Sequence, residues 1–232
     1  MAKAEATLEW DIYLLAGVGS TPGIFNDCKR ELERRFGIIG RHPVIRELFP
    51  YGDHTQKLGR QLLEVRGDLS RLQGAAQFGG RAAAEQIRRL SAGHPVLLIG
   101  HSGGGVAAYR AAAILYAKGA IPDFRVIQVG SPKVPICSEY RDRISYYVAV
   151  DETGKLKDPI TRLGSWGGWS RSRLGLWSWS KQKYAPGRIG TITVLGGHPH
   201  YFRHREPYVH PELGSNLVRT LNTIMEKTEL DY

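Results

Sequence analysis

The stretch Pro95-Val-Leu-Leu-Ile-Gly-His-Ser-Gly-Gly-Gly-Val-Ala-Ala108 sets the reading of the whole chain. Its first five residues are a continuous apolar run, the pattern of a strand buried on both faces. The run stops at Gly100-His-Ser-Gly-Gly-Gly105. Beyond it, Val106, Tyr109, Ala113, Ile114 and Ala117 recur at helical spacing, and Gly119 supplies a natural C-terminal stop. A buried strand, a glycine-flanked serine and a helix therefore follow one another without a linker.

The same alternation extends in both directions. Residues 12–16 form a short apolar run ending in Gly17, Gly19 and Pro22. Phe25, Cys28, Leu32 and Phe36 then keep a helical period up to Gly37, and residues 42–49 read as a second strand. Leu58, Leu62, Val65, Leu69 and Leu72 carry a helical period, and residues 82–90 form an alanine-rich helix. Residues 124–129 and 144–150 read as further strands. A C-terminal helix presents Leu217, Val218, Leu221, Ile224 and Met225 on one face, with Ser215 as its N-cap. Strands alternating with helices predict an α/β class: a mostly parallel central sheet with helices on both faces. With 232 residues and neither a linker nor an internal repeat, the chain reads as one domain over residues 1–232.

Gly100-His-Ser-Gly-Gly104 has the spacing G-x-S-x-G. On a sharp strand-to-helix turn this spacing lifts a serine hydroxyl above the sheet edge, and the helix N-terminus beneath favours developing negative charge. A serine hydroxyl needs a base, and the base needs an orienting carboxylate. In chain order serine, acid, histidine, the acid candidates after Ser102 are Asp151 and Asp158. The base candidates are His198, His200, His204 and His210. A glycine-rich phosphate loop is disfavoured, because no Lys-Ser/Thr pair follows the glycines.

Four collinear segments carry a family resemblance. Gly100-His-Ser-Gly-Gly-Gly-Val-Ala-Ala108 resembles the GHSLGG segment of the fungal-type (class 3) lipases, a branch of the α/β-hydrolases. Gly130-Ser-Pro-Lys-Val134 resembles their GSPRV segment, and Asp158-Pro-Ile-Thr-Arg-Leu163 their DPVPRLP acid segment. His198-Pro-His-Tyr-Phe202 resembles their H-x-x-Y-F base segment. The resemblance covers residues 95–202 and implies an α/β-hydrolase fold with Ser102 as nucleophile, Asp158 as acid and His198 as base. Gly103 stands where the family has leucine, and Thr161 replaces a proline. Gly103 still offers a backbone N–H to an oxyanion. Leu15-Ala-Gly-Val-Gly19 resembles the first-strand loop of α/β-hydrolases in general, which implies a second oxyanion N–H on Val18, with Gly19 and Ser20 as neighbours. The activity implied is hydrolysis of carboxylic esters, lipid or acyl esters foremost, with no metal or organic cofactor. A thioesterase or acyltransferase would use the same triad. A non-catalytic membrane- or partner-binding module on the same scaffold is the alternative from another class.

Composition bounds the rest. Lysine and arginine number 32 against 22 acidic residues, a formal net charge of +10. Eight of these cations and no acid lie in residues 159–205, which also hold four of the five tryptophans. The Trp-rich basic excursion at residues 163–187 shows no clear period and lies in sequence between the proposed acid and base. It is expected near the mouth of the site, as a lid or a contact with anionic membrane. Nucleic acid is a weaker partner class for this pattern. No run of 18 apolar residues is present, and residues 1–10 lack a signal-peptide core, which points to a cytoplasmic protein touching a membrane at most peripherally. Two cysteines, Cys28 and Cys137, are too few for a disulfide scaffold or a structural zinc site.

Overall fold

The computed structural model describes residues 10–52, 78–91, 93–171 and 175–226. The helical period expected across residues 58–72 lies outside them. Among the described residues, six strands form one sheet: β1 (Asp11–Leu15), β2 (Ile45–Leu48), β3 (Val96–His101), β4 (Phe124–Val129), β5 (Ile144–Val150) and β8 (Arg188–Thr193). Their spatial order is β2-β1-β3-β4-β5-β8, and every pairing is parallel. β6 (Gly168–Arg171) and β7 (Trp177–Ser180) form a separate antiparallel hairpin.

Period-two alternation divides the strand side chains between two cores. Tyr13, Leu15, Val96, Leu98 and Val126 face α2 (Phe78–Leu90) and α3 (Gly103–Ala117). Ile12, Leu14, Leu97, Ile99 and Ile127 face α1 (Asn26–Ile38) and α4 (Asn216–Glu226). The helices match their places. α1 buries Cys28, Leu32 and Phe36, one turn apart, and pairs Arg34 and Arg35 with Glu31 on its wetter side. α3 is buried almost all round, because α2 covers the face that the sheet does not. Ser215 caps α4 by accepting from the Val218 N–H at 3.3 Å. Among the described residues, no helix is long and apolar enough to cross a membrane.

Two elements differ from the sequence reading. The irregular excursion contains the β6–β7 hairpin, and β8 closes the sheet beside β5. β8 is an edge strand that buries Ile192 while Ile189 and Thr191 stay exposed, so it lacks the apolar run that marks β3.

The chain passes from β2 to β3 across β1, so the direction of winding reverses between β1 and β3. In open parallel sheets, ligands bind at the carboxyl ends of the strands beside such a reversal.

Candidate active site

Ser102 sits at that point, directly after β3 and before α3. It is the only described non-glycine residue with positive φ, at φ 56° and ψ −132°. Such a conformation costs about 1–3 kcal/mol and persists only where its surroundings enforce it. Here they do. Its N–H donates to the Val129 carbonyl at 3.0 Å, and the turn is clamped between two crowded backbones. A Cβ on Gly104 would lie 2.1 Å from the Leu15 carbonyl oxygen, so only glycine lets α3 start against β1. A Cβ on Gly17 would lie 2.7 Å from the Ser102 Cβ. The loop after β1 therefore runs right alongside the serine and brings Val18 to the cavity wall.

His198 and Asp158 meet Ser102 from two other strand ends. His198 follows β8, and its Nε2 lies 3.0 Å from the Ser102 Oγ. Its Nδ1 lies 2.8 Å from Asp158 Oδ2. The carboxylate requires the proton on Nδ1, so Nε2 accepts from the serine hydroxyl. Asp158 is fully buried, and its Oδ1 accepts from the Ile160 N–H at 2.9 Å.

The route to Asp158 explains why proximity to β5 misleads. Asp151 directly follows β5 but is spent on its own turn. Its Oδ1 accepts from the Thr153 N–H, the Thr153 hydroxyl and the Lys155 N–H at 3.0, 2.7 and 2.9 Å. That turn folds the chain back, so that Leu156 bridges to Val150 and the Lys157 N–H donates to the Ala149 carbonyl. Asp158 is thereby returned over the sheet edge and buried. The other base candidates are also engaged elsewhere. His204 Nδ1 pairs with Asp27 at 2.8 Å, His210 with Glu152 at 3.3 Å, and His200 stacks on Tyr208.

Four supporting residues escape the sequence reading. The Tyr201 hydroxyl donates to Asp158 Oδ2 at 2.8 Å and accepts from the Ala149 N–H at 2.6 Å, tying the acid to β5. Gly130 leaves room for that contact: at φ 59°, a Cβ there would lie 2.6 Å from Asp158 Oδ2. His101 stacks on His198 at 4.9 Å between ring centroids, and its Nε2 donates to the His198 carbonyl at 3.0 Å. Burial, then the neighbouring His198, pushes the His101 pKa down to about 4. His101 is therefore neutral at pH 7 and adds no second positive charge beneath the imidazolium that a reaction would form. Asn216, buried at the start of α4, donates to the Leu195 and His200 carbonyls at 2.8 and 2.9 Å and pins the histidine loop. Tyr201 lies within the quoted H-x-x-Y-F segment, but nothing in sequence says where its hydroxyl points.

A cavity of about 650 Å³ opens over Ser102 and His198. One wall is residues 17–24 after β1, with Asp27. The other is Pro199 and residues 202–206, with Tyr208. Val18, Ile24 and Phe202 give it apolar surface, and Arg203, Arg205 and Glu206 a charged rim. Among the described residues, none from 163–187 lines it, which corrects the expectation that the Trp-rich excursion passes near the mouth. The excursion leaves the acid and runs down the far side of β5, where Trp166 packs on Tyr146 at 4.8 Å. Gly103 opens α3, and neither its N–H nor that of Val18 has a hydrogen-bond partner among the described residues.

No family model matches the chain, so the likeness to fungal-type lipases rests on the four short segments alone. No curated protein matches it in sequence. Solved structures do resemble it. The product of the Listeria innocua gene lin2722 aligns with TM-score 0.51 at 12% identity, over 96% of each chain. ClbQ of the colibactin NRPS/PKS pathway aligns with TM-score 0.52 at 12% identity, over 95% of this chain and 98% of that one. RedJ, the thioesterase of the prodiginine pathway in Streptomyces coelicolor, aligns with TM-score 0.50 at 15% identity, over 94% and 90%. With the parallel sheet and the strand-turn-helix at Ser102, these likenesses define an α/β-hydrolase fold.

Proposed function

We propose that this chain is a serine hydrolase that cleaves acyl esters, oxygen esters or thioesters, through an acyl-enzyme on Ser102. The observation that carries the reading is the unbroken hydrogen-bond chain from the Ser102 hydroxyl through His198 to buried Asp158, at 3.0 and 2.8 Å. Ser102 attacks the acyl carbon while His198 Nε2 takes its proton. Asp158 holds the ring and stabilises its positive charge. In this reading the N–H groups of Val18 and Gly103 are assigned to the oxyanion, where one such donor contributes about 2.7–4 kcal/mol. Collapse expels the alcohol or thiol, which takes the proton back from His198. Water then repeats the cycle on the acyl-enzyme.

Lipid esters remain within the proposal because the cavity offers apolar surface at Val18, Ile24 and Phe202. Thioesters enter it because RedJ, a thioesterase by name, shares the fold. The test is covalent labelling by a fluorophosphonate, followed by parallel panels of p-nitrophenyl esters and acyl thioesters of increasing chain length. Labelling and turnover lost together in folded Ser102→Ala support the proposal. Turnover that survives in that variant refutes it.

A further inference from the structure

We propose that the β6–β7 hairpin is a docking surface for an anionic phospholipid bilayer. The register pairs Trp169 with Trp179 and Arg171 with Trp177 directly across the two strands. Directly opposed residues share a face, so three indoles and one guanidinium stand on one side. Ser170 and Ser178, also paired, stand on the other. That face is largely exposed: Trp169, Trp177 and Trp179 are 58%, 66% and 52% exposed, even with the Trp179 ring lying over Gly167. A soluble surface seldom leaves so much aromatic area together unless something covers it.

Charge identifies the occupant. Arg171 on the hairpin and Lys181 directly after it are exposed, and residues 159–205 contain no acid to neutralise them. A second copy laid face to face would oppose cation with cation. A single-stranded nucleic acid needs open ring faces for stacking. Trp169 and Trp179 instead meet edge to face, 5.6 Å apart at 79°, so each partly occupies the other. Indoles beside cations suit the headgroup layer of an anionic bilayer, where each cation near the surface strengthens binding about fivefold. Trp166, by contrast, is buried against Tyr146 with Lys133 over its ring, and anchors the base of the hairpin. This surface does not line the catalytic cavity, so the inference stands apart from the hydrolase proposal.

The experiment is partition of the full chain onto phosphatidylcholine vesicles with and without about 30 mol% phosphatidylglycerol, read by sedimentation and by tryptophan emission. The wild type is expected to bind the anionic vesicles, with a blue-shifted emission, and to release as salt rises. Trp177→Ala with Trp179→Ala, shown folded by circular dichroism, should bind at least about tenfold more weakly. Arg171→Gln with Lys181→Gln keeps the indoles and should weaken binding to anionic vesicles alone, which guards against a folding defect in the tryptophan variant. Ser102→Ala should bind like the wild type, which separates docking from catalysis. Absent wild-type binding, or variants that bind as well as wild type, overturn the proposal. So does a wild-type dimer in sedimentation analysis that the tryptophan variant abolishes, or binding confined to oligonucleotides.

Discussion

Replacing Tyr201 by phenylalanine deletes one oxygen from the interior and removes two hydrogen bonds at once. The Ala149 N–H loses its acceptor, and Asp158 Oδ2 loses a donor, both in a site without solvent access. An orphaned buried donor costs about 1–3 kcal/mol, and a hydrogen bond to a charged group is worth about 1.5–3 kcal/mol. Because Asp158 keeps the Ile160 N–H and the His198 ring, part of that loss is absorbed, leaving about 3 kcal/mol. With a urea m-value of about 2 kcal/mol/M, the unfolding midpoint should fall by about 1.5 M. The acid is loosened but stays beside the imidazole, so kcat/KM on a soluble ester should drop about 10- to 100-fold, well short of deleting the carboxylate. Urea titration followed by tryptophan fluorescence, with initial rates on the same preparations, measures both. A midpoint within about 0.3 M of wild type together with an unchanged kcat/KM would refute the claim that Tyr201 holds the acid.

Asp158→Asn should lower kcat by about 10⁴, since an amide favours the wrong histidine tautomer. Asp151→Asn should leave the rate within about twofold, because its carboxylate serves only its own turn. His101 gives a pH signature. Its proton affinity is lower in the folded chain (pKa about 4) than in the unfolded one, so the unfolded state binds more protons between about pH 6.5 and 4. Stability should therefore fall as pH drops through that window, by roughly 3 kcal/mol in urea titrations, and His101→Gln should lose correspondingly less. Gly104→Ala drives a methyl into the Leu15 carbonyl and should destabilise by at least about 3 kcal/mol or prevent soluble expression. A near-normal melting temperature would contradict the close packing of α3 on β1.

What was legible in the sequence follows from how strongly burial is written into it. β3 and α3 are buried nearly throughout, so residues 96–117 announce themselves by an unbroken apolar run and an alanine-rich helix. β8 and the hairpin show one face or both to water; β7 does alternate, as Trp177-Ser-Trp-Ser180, but over four residues only, and the glycines and arginines of β6 and β8 interrupt any longer pattern. The serine was legible because its glycines answer a local clash. The acid was not legible from spacing alone, because a seven-residue return from Asp151 to Lys157 moves it away from the strand end. Only the resemblance of Asp158-Pro-Ile-Thr-Arg to a known segment separated it from Asp151. Tyr201, His101 and Asn216 act through where their polar atoms point, and linear order carries no trace of that.

In the proposed hydrolase the cavity walls separate recognition from reaction. Ser102 is locked at the end of β3 by crowded backbone and Asp158 is fully buried, whereas the surface a substrate would meet comes from residues 17–24 and 202–206 with Tyr208. Those two walls are joined across the opening by the His204–Asp27 pair. The adjustable part of the wall at residues 202–206 is its side chains Arg203, Arg205 and Glu206, because the Arg203 and Tyr208 carbonyls accept from the Leu217 and Asn216 N–H groups and so hold the loop backbone that keeps Asn216 on the histidine loop. New substrates would then arise by exchanging those side chains on an unchanged loop path, with the chemistry inherited intact.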